Sequence, residues 1–266
     1  TNTPKDQSFR TFLGELERRG ELIRFLKPVD PLRNMSAVEW KTYNELGKSS
    51  LFTAIEGYPG WTACSQIVAD RRKWSIGLGI DEQDFLQQIS TRVRQPIAPQ
   101  EVAAAAAPVK QLRLIGEQAS LLDLPAMQVS ERDGGRFVAS GIAFVKDPDT
   151  GVSNMSFHRQ HIMGRDKTGF VMVPRHARRI YDKYSERGLP TPVAIALGVH
   201  PAIFFASGFS TSFGQDELGS AGGLLGEAVR TVRCETLDLQ VPAEAEIILE
   251  GELVPGNHLE PEGPFG

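Results

Sequence analysis

The second half of this chain is written as short apolar runs cut by glycine, proline and aspartate. Residues 138–145, 171–173, 193–197, 203–206 and 241–249 carry the apolar side chains. Between them stand turn formers such as Asp147, Pro148, Asp149, Thr150 and Gly151, or Gly198, Val199, His200 and Pro201. Runs this short suit strands better than long helices, so residues 109–266 predict a β-rich domain. The first half reads differently. Phe9, Phe12, Leu13 and Leu16 recur at helical spacing between Ser8 as N-cap and Gly20 as stop. Residues 22–26 predict a strand, and Met35, Val38, Trp40 and Leu46 a second helix. Residues 51–55 and 63–69 suit a strand pair around Gly57, Tyr58, Pro59 and Gly60. Asp81 is placed to cap a helix with Phe85, Leu86 and Ile89 on one side, and the alanine run before Pro108 reads as a connection. The expected fold class is therefore α+β, with an N-terminal α/β domain over 1–108 and the β-rich domain after it.

Composition excludes several function classes. A formal net charge of -4 and a pI near 5.8 give no broad positive field for nucleic acid, and the cluster Arg71, Arg72, Lys73, Trp74 reads as a solvated loop. Cys64 and Cys234 lack metal or disulfide spacing, which fits a reducing compartment. No apolar run approaches the roughly 20 residues of a membrane span, so the expected location is the cytoplasm, without a membrane partner.

The chemistry-bearing residues lie in the second half. Strand periodicity puts Asn154, Ser156 and His158 on one face and sends Phe157 and Arg159 to the other, unless the strand bulges. His176 follows Pro174 and Arg175 at a strand-to-helix junction, where sites concentrate. Gly208, Gly214, Gly219, Gly222 and Gly223 surround Gln215, Asp216 and Glu217; such a loop admits phosphate oxygens, and a merely flexible loop reads the same way. Taken singly, each residue also has an ordinary role as cap, snorkelling side chain or hydrogen-bonded histidine.

Four segments in order resemble the UbiD family of prenylated-flavin-dependent decarboxylases: Asn154 to Arg159, Pro174 to His176, Glu217 with its Ala-Gly-Gly, and Thr236 through Glu262 in the closing Pro-Glu-Gly-Pro-Phe-Gly. The resemblance implies a split β-barrel domain binding prenylated FMN. It implies Asn154, His176 and Glu217 as ligands of a divalent ion, typically Mn²⁺, that clamps the flavin phosphate; an amide, an imidazole and a carboxylate suit a hard octahedral ion. It further implies Ser156, Phe157, His158 and Ser207 along the flavin, and a monovalent cation, K⁺ or Na⁺, near Ser207 to Phe209. Arg159 would pair with the substrate carboxylate while Glu262 holds and tunes it. The family's proton-delivering glutamate and its C-terminal oligomerisation domain would follow Gly266, so the chain reads as roughly the first half of a longer homo-oligomeric enzyme. Its reaction would be reversible non-oxidative decarboxylation of an aromatic, heteroaromatic or α,β-unsaturated acid, with a flavin prenyltransferase as cofactor supplier. His158, where relatives acting on cinnamate-like acids carry a small residue, points toward an aromatic or heteroaromatic acid, and a flavin-contacting filler is an equal reading of it. Competing expectations are a split-barrel FMN reductase-like protein, which needs neither Arg159 nor Glu262, and a non-enzymatic interaction module, which needs no cofactor.

Overall fold

The computed structural model describes residues 5–209, 212–256 and 258–265. The first half runs α1 (Phe9–Arg18), β1 (Leu22–Phe25), α2 (Met35–Leu46), β2 (Ser49–Phe52), β3 (Ala63–Ser65), α3 (Arg71–Leu78), α4 (Phe85–Val93) and β4 (Gln100–Glu101). The second runs β5 (Phe137–Val138), β6 (Ile142–Lys146), β7 (Ser153–Phe157), β8 (Gln160–Ile162), β9 (Thr168–Phe170), α5 (His176–Glu186) and β10 (Thr191–Leu197). It closes with α6 (Pro201–Ala206), α7 (Glu217–Leu225), β11 (Arg230–Arg233), β12 (Gln240–Pro242) and β13 (Ile247–Leu253).

The result is an α+β fold. In α1, Ser8 accepts a hydrogen bond from the Arg10 amide while Phe12 and Leu16 face the core. The parallel pair β1–β2 extends to antiparallel β3. The central sheet has the order β13-β10-β6-β7 and is antiparallel throughout, and two further three-stranded sheets are β12-β11-β4 and β5-β8-β9. Among the described residues no helix is long and apolar enough to cross a membrane.

The largest apolar core draws on residues from both sides of position 108. Leu78, Ile80, Phe85 and Ile89 from the first half pack with Ile142, Phe144, Ala194, Leu224 and Val232 from the second. Burial on this scale makes α3 and α4 of the first half a wall of the second.

Several local expectations fail for identifiable reasons. Residues 203–206 form helix α6 rather than a strand: Pro201 supplies a helical φ at the first turn, and His200 Nδ1 caps the Ala202 amide at 3.1 Å. Gly219, Gly222 and Gly223 sit inside the buried helix α7, where they admit main chain from residues 92–97. The basic cluster at 71–74 is no solvated loop. It opens α3, with Lys73 fully buried and its Nζ donating to the Gly47 carbonyl at 2.8 Å, and with Trp74 packed edge-on against Phe205. Leu86 is exposed although Phe85 and Ile89 are buried, and the run 171–173 lies beyond the end of β9. Residues 138–145 and 241–249 each split into two strands. At the first break Gly141 leaves no room for a Cβ, which would stand 2.5 Å from Gln160 Oε1.

Candidate functional site

Strand β7 organises the site because it borders two helix starts. Its contacts include both α5 and α7, whose first residues are His176 and Glu217. Asp216 caps α7 by accepting from the Leu218 amide at 2.9 Å, and burial holds the Asp216 carboxyl above its ordinary range. That cap fixes the turn from which Glu217 enters the core.

Glu217 is only 1% exposed. Asn154 Nδ2 donates to its Oε1 at 2.9 Å, and the Met155 amide donates to its Oε2 at 3.1 Å. His176 Nδ1 stands 3.9 Å from the same Oε1. The other end of the Asn154 amide, Oδ1, is buried and has no hydrogen-bond partner among the described residues. An orphaned acceptor there is costly unless something outside the chain satisfies it. Asn154 and His176 line one small pocket with Ser153, Phe213 and Gln215, and the Glu217 carboxylate stands beside both residues. Among the described residues no three of His, Cys, Asp and Glu gather as a metal-binding group, so a cation here would depend on the amide oxygen. The donor set fits a hard divalent ion. Two helix N-termini add the positive ends of their dipoles, which suits an anion beside that ion.

Farther along the face of β7, His158 is buried with both ring nitrogens occupied: Nδ1 lies 2.9 Å from the Val171 carbonyl and Nε2 lies 2.9 Å from Ser156 Oγ. The carbonyl can only accept, so Nδ1 carries the proton and Nε2 accepts from Ser156. Burial lowers the His158 pKa, which keeps the ring neutral, and the ring stacks on Phe170 at 4.6 Å. In this arrangement His158 orients Ser156 and has no ring nitrogen left for a ligand. Phe157 points to the other side, edge-on to Phe204 at 4.5 Å. Ser207, three residues beyond Phe204, donates its hydroxyl to the Phe204 carbonyl at 2.8 Å as α6 ends. Ser210, which neighbours the proposed monovalent-cation loop, is outside the described residues, as is Gly266.

Just past the end of β7, Arg159 meets the closing segment. Its Nε and one Nη donate to the two oxygens of Glu262 at 2.9 and 2.8 Å. The paired carboxylate raises the Arg159 pKa, with Asp133 adding a further negative charge. Fork geometry leaves the second edge of the guanidinium available, and the side chain is 35% exposed. Reading the sequence missed the aromatic surroundings: Phe213 edge-on to His176 at 5.4 Å, and Phe137 and Phe265 beside Arg159. Single aromatic residues in turns or two-residue strands leave no periodic signal.

Residues 100–266 match the family model described as the 3-octaprenyl-4-hydroxybenzoate carboxy-lyase Rift-related domain, and residues 13–93 match that of the N-terminal domain of the same carboxy-lyase. The chain belongs to the UbiD family. It is 32% identical to a phenolic acid decarboxylase of Bacillus subtilis over 98% of this chain and 57% of that protein. It is also 32% identical to a pyrrole-2-carboxylic acid decarboxylase of Pseudomonas aeruginosa, over 97% of this chain and 54% of the relative. The UbiD-class enzyme HmfF from Pelotomaculum thermopropionicum, in an evolved dimeric form in complex with prFMN, superposes with a TM-score of 0.93 at 35% identity. That match covers 98% of this chain and 60% of HmfF. The chain therefore spans a little over half the length of the UbiD relatives it matches.

Proposed function

We propose that this chain forms the cofactor-holding and carboxylate-binding part of a decarboxylase for aromatic, heteroaromatic or α,β-unsaturated acids, working with prenylated FMN. The observation that carries this reading is that one short strand joins two unlike sites. Asn154 presents an orphaned buried oxygen beside Glu217 and His176, and five residues on Arg159 presents a carboxylate-matching fork already braced by Glu262. A reductase would need the first site and has no use for the second.

In this reading Asn154, His176 and Glu217 would hold a divalent ion, Mn²⁺ as the family resemblance implies, and the starts of α5 and α7 would favour the flavin phosphate. Ser156 and Phe157 border the flavin, with His158 behind Ser156, and Ser207 belongs to the loop that takes K⁺ or Na⁺. The modified flavin supplies the electron sink that decarboxylation needs. Arg159 binds the substrate carboxylate and sets its orientation; Glu262 holds the guanidinium in place through two hydrogen bonds. The division near residue 108, a split-barrel arrangement for the second domain, homo-oligomeric assembly, a cytoplasmic location and a flavin prenyltransferase as supplier complete the proposal. It rests on the donor chemistry above and on the named activities of the relatives.

The test is to co-express the protein with a flavin prenyltransferase, then measure flavin mass, visible absorption and manganese on one sample. Prenylated FMN and manganese in near-equal amounts are expected, and both should be lost together in Asn154→Ala. Ordinary FMN bound without any metal would favour the reductase, and a protein that retains neither flavin nor metal would overturn the site.

A further inference from the structure

Arg159 is held by more than its carboxylate partner. Its guanidinium carbon lies 5.1 Å from the centroid of the Phe265 ring and 5.9 Å from that of Phe137, within the range of cation–π attraction. The two rings touch each other, with centroids 4.6 Å apart. Phe137 is buried and rests on a further ring: His161 stacks on it at 4.5 Å, with planes only 13° apart.

Strand register explains the arrangement. Phe137 in β5 is paired directly with His161 in β8, and Arg159, two residues before His161, falls on the same side as its diagonal neighbour. The stack is also tied to the closing segment. His161 Nε2 lies 3.2 Å from the Gly134 carbonyl and donates to it, since the carbonyl can only accept, and the Gly134 amide donates to the Pro264 carbonyl at 2.9 Å. One residue thus links the back of the stack to the segment carrying Glu262 and Phe265. A carboxylate fixes two nitrogens of a guanidinium but leaves its plane free to rock about that edge. Rings beside the plane remove that freedom.

We propose that Phe137, backed by His161, is a positioning residue that sets the plane of the Arg159 guanidinium for carboxylate recognition. The proposal rests on the reading of Arg159 as the carboxylate-binding group. Phe137 acts through Arg159 rather than by touching substrate, so its loss lowers affinity for a carboxylate while sparing a neutral ligand of the same shape.

The experiment compares benzoate with benzamide on FMN- and manganese-loaded protein, by titration of the flavin absorbance or calorimetry. The wild type should prefer benzoate. In Phe137→Leu the benzoate Kd should rise about five-fold or more, the scale of a lost cation–π contact, with FMN content and benzamide affinity within about two-fold of wild type. His161→Phe keeps the aromatic stack but gives up the bond to the Gly134 carbonyl, and should retain more benzoate affinity than His161→Leu, which gives up both; this pair decides the matter if Phe137→Leu does not fold. Equal losses for benzoate and benzamide, or no loss in either leucine variant, would overturn the positioning role alone. A wild type with no preference for benzoate would overturn the reading of Arg159 and this inference with it.

Discussion

Helix α7 gives the sharpest test of how the fold places the site. All nine of its residues are buried, and its first residue is Glu217. A Cβ added at Gly223 would stand 2.4 Å from the Arg92 carbonyl oxygen and 2.7 Å from that of Gln95, whereas ordinary contact begins near 3.4 Å. Both obstacles are main chain and cannot rotate away. Arg92 also ties the two helices together, its Nη1 donating to the Leu78 carbonyl at 3.0 Å and the Leu224 carbonyl at 3.1 Å. Gly223→Ala therefore forces α7 to withdraw by about 1 Å, at about 2–3 kcal/mol, the upper part of the overpacking range because main chain blocks the Cβ twice. Alanine's better helix propensity returns about 1 kcal/mol, leaving a net loss of about 1–2 kcal/mol. At about 2–4 °C per kcal/mol for a chain of this size, Tm should fall by about 2–8 °C. The same withdrawal stretches the 2.9 Å bond between Asn154 and Glu217, so manganese retention should fall as well. Calorimetry and metal quantification on one preparation check both. Gly14→Ala is the control: that glycine is exposed in mid-helix with nothing within 4 Å of its would-be Cβ, and its substitution should raise Tm. Unchanged Tm and unchanged metal content in Gly223→Ala would refute the packing argument.

Two further outcomes follow from the same structure. Burial pushes the His200 pKa down from 6.5 to about 4, so the folded protein keeps this ring neutral in a range where the unfolded chain protonates it. His200 thus costs no stability above pH 6.5; as pH falls from 6.5 to about 4, stability drops by about 1.4 kcal/mol per unit through this group. His200→Asn keeps a capping acceptor for α6 and should flatten that slope by about one proton in urea melts taken across this range; an unchanged slope would refute the assignment. Asn154→Asp sets a second carboxylate against Glu217 in place of the 2.9 Å hydrogen bond. Without metal that variant should melt lower than wild type, and added manganese should restore more Tm in it than in wild type. Equal metal responses in the two proteins would argue against Asn154 as a ligand.

Local patterns carried much of the first half and the order of the second. Apolar spacing and a serine cap define α1, and β1, α2 and the β2–β3 pair lie where residue pattern and turn chemistry put them. These are near-neighbour effects, decided by contacts within a few residues. The family resemblance named Asn154, Arg159, His176, Glu217 and Glu262, and the fold brings the first, third and fourth of them together and sets Arg159 against Glu262. Tertiary structure decided what those patterns could not. The glycines around residue 222 are compatible with a phosphate loop or a packed helix, and only the carbonyls of Arg92, Gln95 and Ile97, more than 120 positions earlier, select the helix. His158 looked available to a ligand until the Val171 carbonyl and Ser156 hydroxyl took both of its nitrogens. The pairing of Arg159 with Glu262 spans 103 residues, and the rings beside it come from β5 and the closing segment. A sequence fixes which groups a chain owns and the periodicity of its nearest turns. Which of those groups share a buried space depends on long-range contacts that no local pattern encodes.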